Sequence, residues 1–244
     1  MNGSPRKSII VIGAGDALGG SVAKRFAREG YEAVVVRRHA DQLESLAAAI
    51  RAEGGIAHPV GADARKEDEM VALFERVEAE IAPIEVCVFN IGANVRFPIT
   101  EMTSRVFTKV WEMACFSGFL AGREAAKAML PRGRGTIIFT GATASVRGRD
   151  GFAAFAAAKH GLRAVAQSMA RELGPKGIHV AHTLIDGAID TAWIAENFPE
   201  RSATQSEDGI LNPDHIAESY WMLHRQPRDA WTHELDLRPW SETW

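Results

Sequence analysis

The sequence predicts an α/β fold, a single domain built on one doubly wound, parallel, seven-stranded sheet. Three observations lead there. Up to Phe89, short apolar runs alternate with helical apolar periodicities in the order β-α-β-α-β-α-β, the pattern of a parallel sheet covered by helices on both faces. A turn carrying Gly13, Gly15, Gly19 and Gly20 separates the first apolar run from the first helical pattern. No linker or low-complexity segment divides the 244 residues, so residues 1–244 read as one unit with ample core.

The first strand is Ile9–Ile12, and Leu18, Val22 and Phe26 mark the buried face of the first helix. Gly30 stands where a left-handed cap would end that helix. Glycines at a strand-to-helix turn let a backbone approach a pyrophosphate, and the helix N-terminus offers unpaired N–H groups. The unit therefore reads as a Rossmann-type nucleotide site. Ala33–Val36 is the second strand, followed by Arg37, Arg38 and His39. In such a fold the end of this strand meets the adenosine ribose, where a carboxylate bonds the 2′-hydroxyl of NAD and arginine accommodates the 2′-phosphate of NADP. Two guanidiniums and no carboxylate stand here, so NADP(H) is expected over NAD(H).

Leu43, Leu46, Ala47 and Ile50 trace the second helix, ended by Gly54 and Gly55. Ile56–Val60 is the third strand, with Asp63 after it; Met70, Leu73, Phe74, Val77 and Ile81 trace the third helix. Val86–Phe89 is the fourth strand, closed by Asn90, Ile91 and Gly92. A long helix is expected over Phe107–Met129, the fifth strand over Thr136–Thr140, and an alanine-rich helix over Gly151–Leu173, with Asp150 as its N-cap. Gly177–Leu184 is the sixth strand, Pro213–His224 the last helix and Trp231–Leu237 the seventh strand.

Composition narrows the partners. A net charge of −3 gives no electrostatic case for nucleic acid or an anionic membrane. No apolar run approaches the ~20 residues that span a bilayer. The N-terminus MNGSPRK has no apolar signal core, so a cytoplasmic protein is expected. Cys87 and Cys115 lie among apolar residues and read as free thiols, and no paired-His or CxxC spacing points to a metal.

With these pieces in place the chain resembles a short-chain dehydrogenase/reductase over residues 7–237. The turn Gly13-Ala14-Gly15-Asp16-Ala17-Leu18-Gly19 is similar to the family's TGxxxGxG, with Ala17 at the middle glycine. Phe89-Asn90-Ile91-Gly92 resembles its Asn-Asn-Ala-Gly segment, and Asp186-Gly187-Ala188-Ile189-Asp190-Thr191 its Pro-Gly-x-x-x-Thr loop. The resemblance implies cofactor contacts from Gly13, Gly15, Asp16, Leu18, Gly19, Arg37, Arg38, Asp63, Ala64, Asn90, Gly92, Lys159, Gly187, Ile189 and Thr191. Asp63 would read the adenine amino group and Lys159 would hold the nicotinamide ribose. It also implies assembly as a homodimer or homotetramer, through the two long helices and the final strand.

At the catalytic positions the resemblance breaks. Ala142 holds the place of the family's Ser, Phe155 that of the Tyr in Tyr-x-x-x-Lys, and Cys115 that of the helix Asn; only Lys159 matches. Phe has no proton to give and Ala no donor. A general acid is worth ~10²–10⁴-fold and an oxyanion donor ~10²–10³-fold, together roughly 5–9 kcal/mol of barrier if independent. Thr143 is the nearest replacement donor, beside Thr140 and Ser145, unless these hydroxyls only cap the turn. His160 sits about 100° round the helix from Lys159. Asp186 either faces the nicotinamide or satisfies N–H groups of its own turn. Phe152 and Phe155 make the pocket floor apolar, suiting an apolar small-molecule ligand. Three readings follow: an atypical NADP(H)-dependent oxidoreductase, a non-catalytic NADP(H)-binding sensor or partner subunit, or a pocket for some other nucleotide with Arg37 and Arg38 merely solvated. Trp231, Trp240 and Trp244 read as packing or subunit contacts.

Overall fold

A computed structural model describes residues 6–197 and 199–243; Trp244 lies outside the described residues. The strands are β1 (Ser8–Ile12), β2 (Glu32–Arg37), β3 (Ile56–Gly61), β4 (Ile84–Phe89), β5 (Gly135–Thr140), β6 (Ile178–Ile185) and β7 (Glu234–Leu237). They form one parallel sheet in the order β3-β2-β1-β4-β5-β6-β7. The helices are α1 (Leu18–Ala27), α2 (Glu44–Ala52), α3 (Glu67–Arg76), α4 (Ser104–Trp111), α5 (Ser117–Met129), α6 (Ala153–Leu173), α7 (Ala192–Asn197), α8 (Pro199–Ser202) and α9 (Pro213–Arg225).

The period-two alternation of strand side chains divides the core. Along β1, Ile10 and Ile12 join one apolar cluster with Phe74 of α3, Leu120 of α5 and Leu162 of α6. Ile9 and Val11 join the opposite cluster with Val22 of α1, Ile50 of α2 and Tyr220 of α9. Both faces are covered, which is why these strands read as continuous apolar runs.

The order reverses at β1, which pairs with β2 on one side and β4 on the other. The crevice outside the carboxyl ends of these strands is where open α/β sheets take ligands. Gly13 and Ala14 both donate their N–H to the carbonyl of Val36, and Asn90 donates to that of Ile12, so the turn after β1 is tied to both neighbours.

Several expected boundaries shift. The long helix over 107–129 is α4 and α5 joined through a wider turn at Glu112–Phe116, which carries Cys115. The alanine-rich helix begins at Ala153, two residues later than expected. Asp150 does not cap it: Phe152 holds the cap position with no side-chain hydrogen bond, while the exposed Asp150 pairs with Arg96 at 3.1 Å. The seventh strand is shorter, because Trp231 stacks on His179 at 4.9 Å before the chain reaches the sheet. Cys87 and Cys115 are buried free thiols. Among the described residues no helix is long and apolar enough to cross a membrane and no group of side chains forms a metal cluster.

Candidate functional site

The site begins at the turn after β1. Gly13 has φ +91°, and a Cβ there would lie 3.0 Å from the backbone of Asn90. A Cβ on Gly19 would meet Gly13 O at 2.6 Å and Ala14 Cα at 2.8 Å. Both glycines are needed for the turn itself. Gly15 is different: a Cβ there would meet only the tip of Arg37, at 3.7 Å. No side chain caps the first turn of α1, and the flanking residue is Ala17. The turn thus leaves N–H groups and the positive end of a helix dipole without a side-chain acceptor.

A cleft with about 610 Å³ of empty space opens beside it, lined by Gly13, Val36, Arg37, Arg38, Asp63 and Ala64 among others. Arg37 and Arg38 form no hydrogen bond or ion pair among the described residues. Arg65, in the same cleft, is committed: its Nε and Nη2 donate to Asp63 at 2.9 and 2.5 Å. That guanidinium holds the Asp63 carboxyl down at about 2. An adenine amino group reaching Asp63 would share its oxygens with Arg65. Asp16 is exposed, whereas Leu18 and Ala64 are buried and hold the turn and cleft wall in place.

Asn90 donates its side-chain amide to Gly13 O at 3.2 Å, binding the two loops together. Lys159 is not a surface lysine. It is 3% exposed, and its Nζ donates to Thr140 O at 2.8 Å and Ile91 O at 3.1 Å. An ammonium has three N–H bonds, so one remains for a ligand. Phe155 stands one helical turn before it, ring centre 5.9 Å from Nζ. Cys115 packs Sγ against the backbone of Gly161, where a Cβ would meet it at 2.8 Å, and burial pushes its thiol up. It behaves as a small apolar residue. His160 is exposed and hydrogen-bonds Ala156 O, away from the cleft.

Burial also lowers Lys159 to about 8. The unfolded chain then holds an extra proton between about 8 and the ordinary value near 10.5. The contribution of this residue to stability therefore rises with pH through that window. Measured by urea unfolding, the difference between wild type and Lys159→Met is expected to move in wild type's favour by about 3 kcal/mol from pH ~7 to ~10.5. Cys87 and the raised phenols, common to both proteins, cancel. A pH-independent difference would mean the amine is hydrated.

Around Ala142 the three hydroxyls divide. Thr140 Oγ1 bonds Tyr220 OH at 2.8 Å on the far face of the sheet. Ser145 Oγ accepts the N–H of Ala142 at 3.1 Å and is fully buried, the capping role expected of it. Thr143 does neither: its hydroxyl crosses to Asp186 and donates to Oδ1 at 2.5 Å. Asp186 does not serve the N–H groups of its own turn; its side-chain partners are Thr143, Arg147 and Arg238. Arg147 and Arg238 were not legible as site residues, because nothing in their local sequence signals a distant carboxylate. In the following loop Thr191 Oγ1 accepts from Ile194 N, starting α7, and Ile189 bridges to Leu211. Gly187 packs against Pro239.

The family model described as short chain dehydrogenase matches residues 7–202. This chain belongs to the short-chain dehydrogenase family. A crystal structure of a short-chain dehydrogenase from Rhodopseudomonas palustris is 51% identical, with a TM-score of 0.84 covering 97% of this chain and 100% of the other. Gluconate 5-dehydrogenase of Gluconobacter oxydans is 26% identical over 91% of this chain and 80% of its own length. Actinorhodin polyketide ketoreductase, whose structure contains NADPH, shares the fold at 24% identity and a TM-score of 0.86, over 96% of each chain. As a short-chain dehydrogenase, the chain is an oxidoreductase by family, and its glycine turn and crevice match the place where this architecture takes a dinucleotide.

Proposed function

We propose that this protein is an NADP(H)-dependent oxidoreductase that works without the Ser and Tyr of its family, Ala142 and Phe155 standing in their places and Lys159 kept. The observation that carries the cofactor reading is the pair Arg37 and Arg38, two guanidiniums in the cleft with no anionic partner. Arg37 is half-buried and Arg38 exposed at the cleft edge, and a guanidinium can clamp a phosphate with two parallel hydrogen bonds. The uncapped N-terminus of α1 supports a pyrophosphate at Gly13–Gly19, and the third N–H of Lys159 supports a ribose hydroxyl. Asn90, Gly92, Ile189 and Thr191 would complete the cradle. When bound, the dinucleotide supplies or accepts the hydride. The chain's own part is to orient it, exclude water and handle the proton.

The test is oxidation of NADPH by pure protein with ketones, cyclic imines and enones, across about pH 5–9. Substrate-dependent hydride transfer is expected, slowest on simple ketones. Tight NADPH binding with no transfer anywhere on the panel would favour the second reading, a non-catalytic sensor or partner subunit, which the loss of hydroxyls at 142 and 155 supports. The half-buried Phe152 and Phe155 favour an apolar ligand. The partly exposed Phe107, Trp111 and Phe119, each about 40% exposed, support association of copies through α4 and α5.

The two kinds of glycine separate binding from folding. Gly15→Ala is expected to keep stability within about 1 kcal/mol yet weaken NADPH more than about tenfold, because the methyl lies where the phosphates approach. Gly19→Ala meets the backbone of Gly13 and Ala14 and is expected to lose roughly 1–3 kcal/mol. Calorimetric titration and thermal unfolding of the two variants check this. Equal binding by wild type and Gly15→Ala would move the pyrophosphate elsewhere.

A further inference from the structure

Asp186 is a carboxylate only 2% exposed, at the end of β6. Burying it is costly unless it is paired, and three side chains from two other segments are spent on it. Arg147 Nη2 lies 3.2 and 3.3 Å from its two oxygens, and Arg238, whose Nη2 donates to Asp236, has Nη1 3.9 Å away. The third is the Thr143 hydroxyl at 2.5 Å, the short end of the range for a hydroxyl on a carboxylate. Thr143 directly follows Ala142, is half-buried, and accepts no hydrogen bond among the described residues. Its proton points at Asp186, so its oxygen lone pairs are free on the other side. Arg147 is 39% exposed, so its guanidinium reaches from the buried carboxylate to the surface.

We infer that Thr143 exchanges the proton with the substrate oxygen, with Asp186 behind it as the proton's acceptor and source. This rests on the oxidoreductase reading above. In the oxidising direction the substrate O–H bond breaks as a new O–H forms on Thr143 Oγ1. The proton Thr143 already held passes to Asp186 Oδ1, so no free alkoxide forms. The carbon loses its hydride to the nicotinamide dinucleotide, leaving a carbonyl. In reduction each proton moves the opposite way: Asp186 gives one to Thr143, and Thr143 gives one to the oxygen that gains charge. Asp186 takes its proton from, or returns it to, solvent between turnovers, and Arg147 holds its carboxyl in place. Thr143 is the catalytic residue; Asp186 and Arg147 are positioning residues.

Two measurements test this. In protein without dinucleotide, proton NMR is expected to show the Thr143 hydroxyl as a slowly exchanging signal downfield of the amides, missing in Thr143→Val and Asp186→Asn. With NADPH and cyclohexanone or cyclohexenone, whichever wild type turns over faster, Thr143→Val is expected to lose about 10²–10⁴-fold in kcat. Thr143→Ser should stay within about tenfold, and Asp186→Asn should lose about 10²-fold or more. NADPH affinity, read by fluorescence, should be the same in all four proteins, which a collapsed site could not give. Wild-type kcat in Thr143→Val, or a wild-type spectrum without the hydroxyl signal, would overturn the relay and leave the oxidoreductase reading standing. A wild type inert on the whole substrate panel would remove that reading and the relay together.

Discussion

The double variant Ala142→Ser/Phe155→Tyr is expected to reduce simple ketones with NADPH about 10²-fold faster than the parent, or more, beyond what Thr143 already supplies. The scaffold for the missing groups is in place. Phe155 and Lys159 are one helical turn apart on α6, the ring centre 5.9 Å from Nζ. A phenol at 155 would stand near an ammonium anchored by Thr140 O and Ile91 O, which favours its ionised form. Ala142 has an extended backbone, φ −154° and ψ 171°, which serine adopts without strain. Phe155 is only half-buried, so a hydroxyl can be accommodated at the ring edge. Phe155→Tyr alone should supply most of the gain, because it restores a proton where Ala142→Ser restores only a hydrogen bond. The pair should exceed the sum of the singles, since the two groups act on one oxygen. Thr143→Val, damaging in the parent, should become nearly silent in the double variant, where tyrosine has taken over the proton. Initial rates of NADPH oxidation with cyclohexanone decide the matter. No gain, with NADPH still bound, would mean that pocket shape rather than the missing acid limits carbonyl reduction.

The sequence carried the sheet and the glycine turn because their determinants are local. Apolar runs, glycines at a strand-to-helix turn and helix periodicity each depend on neighbours a few residues away. That residues 155 and 159 share one face of α6 was legible because their spacing is fixed by the helix itself. What the sequence did not reveal is set by long-range pairing. Thr143, Arg147 and Asp186 come together across β5 and β6, separated by as many as 43 positions in sequence, and no local pattern marks such a meeting. Asp63 shows the converse: its bidentate partner is two residues away, yet whether an arginine in a loop turns back or outward depends on the cleft beside it. Asp150 failed as a cap for a related reason. Its carboxylate turns outward to Arg96, on the loop between β4 and α4, and α6 starts at an uncapped Ala153.

Removing both unpaired cations of the cleft should change cofactor preference. Arg37→Ala/Arg38→Ala is expected to weaken NADPH by about 10²–10⁴-fold, because each charge-assisted hydrogen bond to a phosphate is worth roughly 1.5–3 kcal/mol. NADH should weaken by less than about tenfold. The two residues should not contribute alike. Arg37 reaches over the glycine turn, its Nη1 3.7 Å from where a Cβ on Gly15 would lie, so it can touch the pyrophosphate common to both cofactors. Arg38 lines the same cleft nearer Asp63, whose carboxylate feels its charge. The small NADH effect should therefore follow Arg37, and the selective loss of NADPH should follow Arg38. Salt gives an independent check. NADPH affinity of wild type should fall with ionic strength more steeply than that of Arg38→Ala, since exposed charge pairs are screened within a Debye length of about 8–10 Å. Calorimetric titrations of both single variants and the double variant with each cofactor, at low and high salt, measure all of these terms. Equal losses for NADPH and NADH in Arg38→Ala would mean that this guanidinium does not meet a 2′-phosphate, and the cofactor preference would then have to come from Arg37 alone.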